Sequence, residues 1–311
     1  MIRRVERMPL YRPGLLHTPV TPFTRERAID FDRYAKVIEF HLANGAEGLA
    51  LPMHAGESVS LSDGERRALV EFAIKHVNGR KPIIAHVSET GTAIAAALAR
   101  HAEEQGATAI VATTPYYWTP PAAMVLEHFV QIGLAVKIPF FLYNAPEEMQ
   151  GAKVNAELCL KLIAKLPNFA GVIDLSLDWQ FMIELMTNGP RLRPGFQLLA
   201  GTELMVSAAA IGATGMLAPL AGIAPRLVRE LYDLCRDQKL FEARTVQEQI
   251  AGLRQALKPG GVASLKAAMR AMGRDCGGPR PPVLALDAAA YQKLVGELET
   301  VTALHAEARD W

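Results

Sequence analysis

Short apolar runs alternate along this chain with longer segments whose apolar residues recur every three or four positions. The runs fall at 15–20, 47–52, 82–87, 107–112, 139–143, 170–173, 196–200 and 214–217. Each is apolar at successive positions, which predicts a strand buried on both faces. The intervening segments carry helix punctuation. Asp30 is placed to cap a helix with Phe31, Tyr34, Val37, Ile38 and Leu42 on one face, stopped by Asn44-Gly45. Ser62-Asp63-Gly64-Glu65 reads as a capping box opening a helix that ends at Asn78-Gly79. Further helices are expected over 92–105, 121–136, 155–165, 179–186, 204–211 and 225–236.

Strands buried on both faces and separated by helices demand a parallel sheet covered by helices. Eight such units predict an α/β fold, a closed (β/α)8 TIM barrel over residues 1–238. A doubly wound sheet fits less well, because no glycine-rich phosphate fingerprint follows the first run. Gly212-Ala213-Thr214-Gly215 precedes a strand rather than a helix, so it does not supply one. Residues 239–311 show helical patterning over 241–257, 262–272 and 287–305, broken at Lys258-Pro259-Gly260-Gly261 and at 277–282. They are expected to pack on the barrel as an extension of the same structural unit.

Half of the 311 residues are apolar, enough for a large core, and 33 basic residues balance 32 acidic ones. A net charge of +1 gives no field for nucleic acid or an anionic membrane. No apolar run approaches the roughly 20 residues of a membrane helix. The first 14 residues carry charge without an apolar core, unlike a secretory signal. Three scattered cysteines suit reduced thiols rather than a disulfide framework or metal cluster. A cytoplasmic enzyme is the expectation.

In such a barrel the chemistry sits at the C-terminal strand ends. Those ends carry Met53-His54-Ala55-Gly56-Glu57-Ser58, His86, Thr114-Pro115-Tyr116-Tyr117, Tyr143-Asn144-Ala145-Pro146, Ile173-Asp174, Gly201-Thr202-Glu203 and Met216. Gly56-Glu57-Ser58 with Leu61-Ser62-Asp63-Gly64-Glu65, Thr114-Pro115-Tyr116-Tyr117, Leu142-Tyr143-Asn144-Ala145-Pro146, Gly171-Val172, Gly201-Thr202-Glu203 and Gly212-Ala213-Thr214-Gly215, in that order between Thr18-Pro19-Val20-Thr21-Pro22-Phe23 and Arg280-Pro281-Pro282, resemble the dihydrodipicolinate synthase / N-acetylneuraminate lyase family. The resemblance spans nearly the whole chain. It implies an aldolase-type barrel, a dimer or tetramer, acting on 2-oxo acids through a lysine imine. It also implies a proton relay of two tyrosines and a Gly-Thr-Thr-Gly-Glu carboxylate-binding loop.

Against that pattern, Tyr143 matches the strand-5 tyrosine and Tyr117 the relay tyrosine, which in the family often crosses a subunit interface. Gly56 and Glu57 keep the end of the loop. The two threonines fall at His54 and Ala55, and the arginine beyond the strand-5 tyrosine falls near Glu148. The imine lysine falls at Ile173. Isoleucine has no amine, and the eleven lysines all lie away from the strand ends. Imine catalysis is therefore not expected.

His54 and His86 stand where the family usually has small residues. With Asp174 and Glu203 they are candidates for a metal site, against which stands a polar pocket of hydrogen-bonded histidines. The polar pocket is the favoured reading, so no metal or cofactor is expected. Glu57 is read first as a loop or helix anchor, with Glu147-Glu148 a solvated pair. The expected site is Tyr143, Tyr117 and His54 for acid/base work. Ala55, Gly56, Glu57, His86, Ile173, Glu203 and Met216 surround the substrate. Two functions remain open: a divergent lyase on a small oxo or hydroxy acid, and a silent paralogue binding a metabolite or protein. A metal-dependent aldolase is a weaker third.

Overall fold

The structure, a computed structural model, describes residues 11–146 and 152–311. Eight strands close into a parallel barrel in sequence order. They are β1 Leu15–His17, β2 Gly48–Leu51, β3 Ile83–His86, β4 Ala109–Ala112, β5 Phe140–Asn144, β6 Phe169–Asp174, β7 Gln197–Gly201 and β8 Gly215–Ala218. Among the described residues, the α-helices that follow the strands are α1 Phe31–Ala43, α2 Asp63–Val77, α3 Thr92–Gln105, α4 Ala122–Leu134, α5 Ala156–Lys165, α6 Trp179–Leu192, α7 Met205–Ala210 and α8 Pro225–Arg236. Three more follow: α9 Leu240–Leu257, α10 Val262–Ala271 and α11 Ala288–Glu299. Among the described residues no helix is long and apolar enough to cross a membrane.

The expected caps form. Asp30 accepts the Arg33 N–H, and Ser62 and Glu65 make the reciprocal capping box. One helix runs further than its sequence suggests. The pattern stops near Met186, yet α6 continues to Leu192 through Pro190. A proline this close to the end removes one backbone bond, and the Arg193 N–H closes the turn on Gly189. The Arg193 guanidinium then binds the carbonyls of Ile163, Pro167 and Phe169. It ties the helix to the foot of β6 rather than standing free on the surface.

Alternation along each strand sorts residues into two layers. Leu16, Ala50, Ile84, Val111, Phe141, Tyr143, Ile173, Leu199 and Leu217 fill the lumen. Their neighbours Leu15, Leu49, Ala85, Ile110, Leu142, Val172, Leu198 and Met216 pack outward against the helices. Gly171 has a steric reason: a Cβ there would come within 2.4 Å of the Gln197 carbonyl on β7.

Candidate active site at the barrel mouth

A cavity of about 410 Å3 opens at the C-terminal ends of the strands. His54 and Ala55 reach it from the loop after β2, Tyr143 from β5, Leu175 from beyond β6 and Glu203 from the loop after β7. Tyr143 is 2% exposed, and its ring meets His86 edge-on at 6.3 Å between centroids. Its register partner on β6 is Ile173, which is fully buried in the lumen layer. Contrary to expectation, Ile173 does not line the cavity; it fills the lumen beside Tyr143 with a hydrocarbon side chain.

His86, at the end of β3, packs against Tyr143 inside the barrel. Ser88 Oγ lies 2.6 Å from its Nε2 and accepts the Thr113 N–H at 2.8 Å. Burial, with the nearby Arg66 guanidinium, pushes the imidazole down to about 3. A ring neutral at physiological pH is no general acid. His86 supports Tyr143 by packing, and the cavity wall does not include it.

Other expected site residues also stand elsewhere. Met216 does not line the cavity, because alternation turns it into the outer layer; its neighbour Leu217 faces in. Gly56 packs against the loop that follows β1, where its carbonyl accepts from Thr21 Oγ1 at 2.6 Å. Glu57 turns away into a buried ion pair with Lys266 of α10 at 2.5 Å. The Arg280 N–H donates to its second oxygen at 2.7 Å. Glu57 anchors its loop to the C-terminal helices instead of meeting substrate.

Tyr117 is 97% exposed with φ at +80°. The member of the Tyr116-Tyr117 pair that packs on the lumen layer is Tyr116, whose hydroxyl reaches Glu89 at 3.4 Å. Glu147 and Glu148 lie outside the described residues.

The carboxylates proposed for a metal do not converge. Asp174 points away from the lumen, taking bonds from Asn144 at 2.6 Å and Ser176 at 3.1 Å. Burial raises its carboxyl to about 6. Glu203 is paired with the Arg254 guanidinium. No group of three or more histidine, cysteine, aspartate or glutamate side chains able to hold an ion occurs among the described residues. The cysteines are buried and free, and burial pushes the thiols up, Cys235 to about 11 and Cys276 to about 12.

The C-terminal extension contributes what the strand ends do not announce. Arg254, Leu257, Lys258, Gly261, Val262 and Leu265 form the cavity's upper wall. The Lys-Pro-Gly-Gly break marks this place in the sequence. Nothing there predicts that it would sit over the barrel mouth.

Known proteins fit this architecture. A profile of the Dihydrodipicolinate synthetase family matches residues 12–301. A 4-hydroxy-tetrahydrodipicolinate synthase of Azoarcus sp. is 32% identical over 275 residues, 88% of this chain and 92% of its own. One from Herminiimonas arsenicoxydans is 34% identical over 286 residues, 91% and 95% of the two chains. Among solved structures, dihydrodipicolinate synthase from Aquifex aeolicus superposes with a TM-score of 0.86 at 26% identity, covering 93% of this chain and 98% of its own. A prophage protein of the dihydrodipicolinic acid synthase family from E. coli K12, solved in complex with pyruvate, gives 0.87 at 25% identity, covering 94% and 99%. With its barrel, its strand-5 tyrosine and this span of similarity, the chain belongs to the dihydrodipicolinate synthetase family.

Proposed function

We propose that the protein is a lyase acting on a small oxo or hydroxy acid without a lysine imine. The observation that carries this reading is the residue paired with Tyr143 on the neighbouring strand. Tyr143 faces the opening, and its neighbour across the β5–β6 register is Ile173. An aldol-type cleavage removes a hydroxyl proton, breaks the adjacent carbon–carbon bond and sends its electron pair onto the carbonyl oxygen. The resulting enolate is then protonated on carbon. An imine normally takes that pair. With isoleucine beside Tyr143 in place of an amine, the substrate's own carbonyl oxygen must take it, stabilised by hydrogen-bond donors. Tyr143 and His54 are the acid/base groups on the cavity wall.

Tyr117 is exposed and in the left-handed backbone region, and in the proposed assembly a second copy of the chain covers it. In that arrangement it completes the relay across an interface. The family's dimers and tetramers support this reading.

Tyr143→Phe tests the proposal. Loss of a general acid/base costs roughly 10²- to 10⁴-fold in kcat, while the melting temperature holds. Borohydride with pyruvate should leave no mass adduct; an adduct on a lysine would sink the imine-free mechanism. If a panel of oxo and hydroxy acids raises the melting temperature but none is turned over, the chain is a binding paralogue instead.

A further inference from the structure

We propose that the substrate's carboxylate is held by Lys258, on the elbow between α9 and α10, and that its tail is apolar. This rests on the cavity being the substrate site. It reassigns acid recognition from the barrel loops to the C-terminal extension.

Charge bookkeeping within the cavity leads there. Its wall carries two cations, Arg254 and Lys258, and one carboxylate, Glu203. Glu203 is taken by Arg254. Lys258 makes no salt bridge among the described residues, so a cation remains on an otherwise balanced wall. An acid entering the mouth meets that ammonium, and its alternatives there, His54 and Ala55, offer no fixed positive charge.

The elbow fixes the backbone from which Lys258 projects. Lys258 caps α9, its N–H bonding the Arg254 carbonyl one turn back. Pro259 then restricts the backbone. Gly261 turns the chain into α10 with φ +53° and ψ −124°, a conformation open to glycine and strained for other residues. Leu257 and Leu265 on either side are buried. The stem of Lys258 therefore starts from a fixed corner over the opening.

Apart from these charged groups and Thr18, His54 and Tyr143, the rest of the wall is apolar and favours an apolar tail. Leu257, Val262 and Leu265 of the elbow and Leu175, Leu217 and Leu220 of the barrel line the same cavity. A polyhydroxylated tail would leave its hydroxyls unpaired against these side chains, whereas an aliphatic or aryl tail is desolvated favourably. About 410 Å3 suits an acid of this size class. The substrate class is a 4-hydroxy-2-oxo monocarboxylate whose tail beyond the C4 hydroxyl is apolar; 2-oxohexanoate is its non-cleavable binding probe.

Binding calorimetry on the full chain tests this with 2-oxohexanoate, 2-keto-3-deoxygluconate and 2-hexanone as probes. The wild type should bind 2-oxohexanoate at least tenfold more tightly than the sugar acid. Lys258→Met keeps the stem and removes the charge. It should weaken 2-oxohexanoate roughly ten- to a hundredfold, leave 2-hexanone unchanged and keep the melting temperature. Lys258→Arg should recover most of the loss. Unchanged acid binding in Lys258→Met, tighter sugar-acid binding, or no binding of either acid overturns the proposal. So does a borohydride adduct on Lys258, which would make it a nucleophile. Tyr143→Phe separates the two readings. If it turns substrate over normally while Lys258→Met loses binding, the clamp stands and the proposed catalytic role of Tyr143 falls.

Discussion

Two carboxylates at the barrel mouth each hold a cation from the C-terminal helices, and they differ in access to water. Glu57, after β2, meets Lys266 of α10 with side chains 1% and 2% exposed. Glu203, after β7, meets Arg254 of α9 with 23% and 36% exposed. The first pair is cemented: Lys266 also lies 4.3 Å from the Phe23 ring centroid, and Arg280 donates its N–H to Glu57. The second pair borders the cavity. One carboxylate therefore fixes architecture, and the other sets the charge of a wall that a ligand meets. Residue type does not tell them apart; burial does.

The largest expected effect comes from breaking the buried pair. Glu57→Ala strands an ammonium in a site that already disfavours it; burial lowers the Lys266 amine below its ordinary range. The cost should be about 3–5 kcal/mol, read as a fall in the denaturant midpoint. Replacing both members, Glu57→Gln with Lys266→Met, should recover much of it. If the double variant is as unstable as the single one, packing rather than charge is what Glu57 supplies.

A proton is a second way to put charge into the buried side. His86 sits next to Arg66, whose guanidinium donates to the His86 carbonyl at 3.2 Å. Its folded value of about 3 lies below the unfolded value of about 6.5. Between these values the unfolded chain binds a proton that the folded chain refuses, so stability falls as pH drops from about 6.5 toward 3. Where the unfolded imidazole is fully protonated, this residue contributes about 1.4 kcal/mol per pH unit to the slope. His86→Gln should flatten the stability–pH curve by that amount between about pH 5.5 and 4. An unchanged slope would mean that the ring already titrates normally in the fold.

The same contrast explains what the sequence disclosed. The barrel was legible because both-face-apolar runs and glycine or capping punctuation are local signals; Ser62 and Glu65 sit three residues apart and bond each other. Tyr143, His54, Ala55 and Glu203 could be placed at the mouth by the strand-end rule alone. Met216 was misplaced by one position. A strand end near it could not settle the parity that decides lumen or outer layer, and register with β1 and β7 settles it for Leu217. Glu57–Lys266 and Lys258 were illegible for another reason. Both depend on where α9 and α10 dock, over separations of about two hundred residues, which no local pattern encodes.

The smallest expected effect is at the open pair. Glu203→Gln should cost under about 1 kcal/mol of stability, since a half-exposed ion pair gains little net energy in water. Its consequence should appear in binding instead. Releasing Arg254 adds a second unpaired cation one helical turn from Lys258, so 2-oxohexanoate should bind a few-fold more tightly, and the gain should shrink at high salt as the charges are screened. Titrations at low and high ionic strength measure this. Weaker acid binding in Glu203→Gln would mean that the Glu203–Arg254 pair holds the elbow in position, and the two carboxylates would then differ in exposure but not in role.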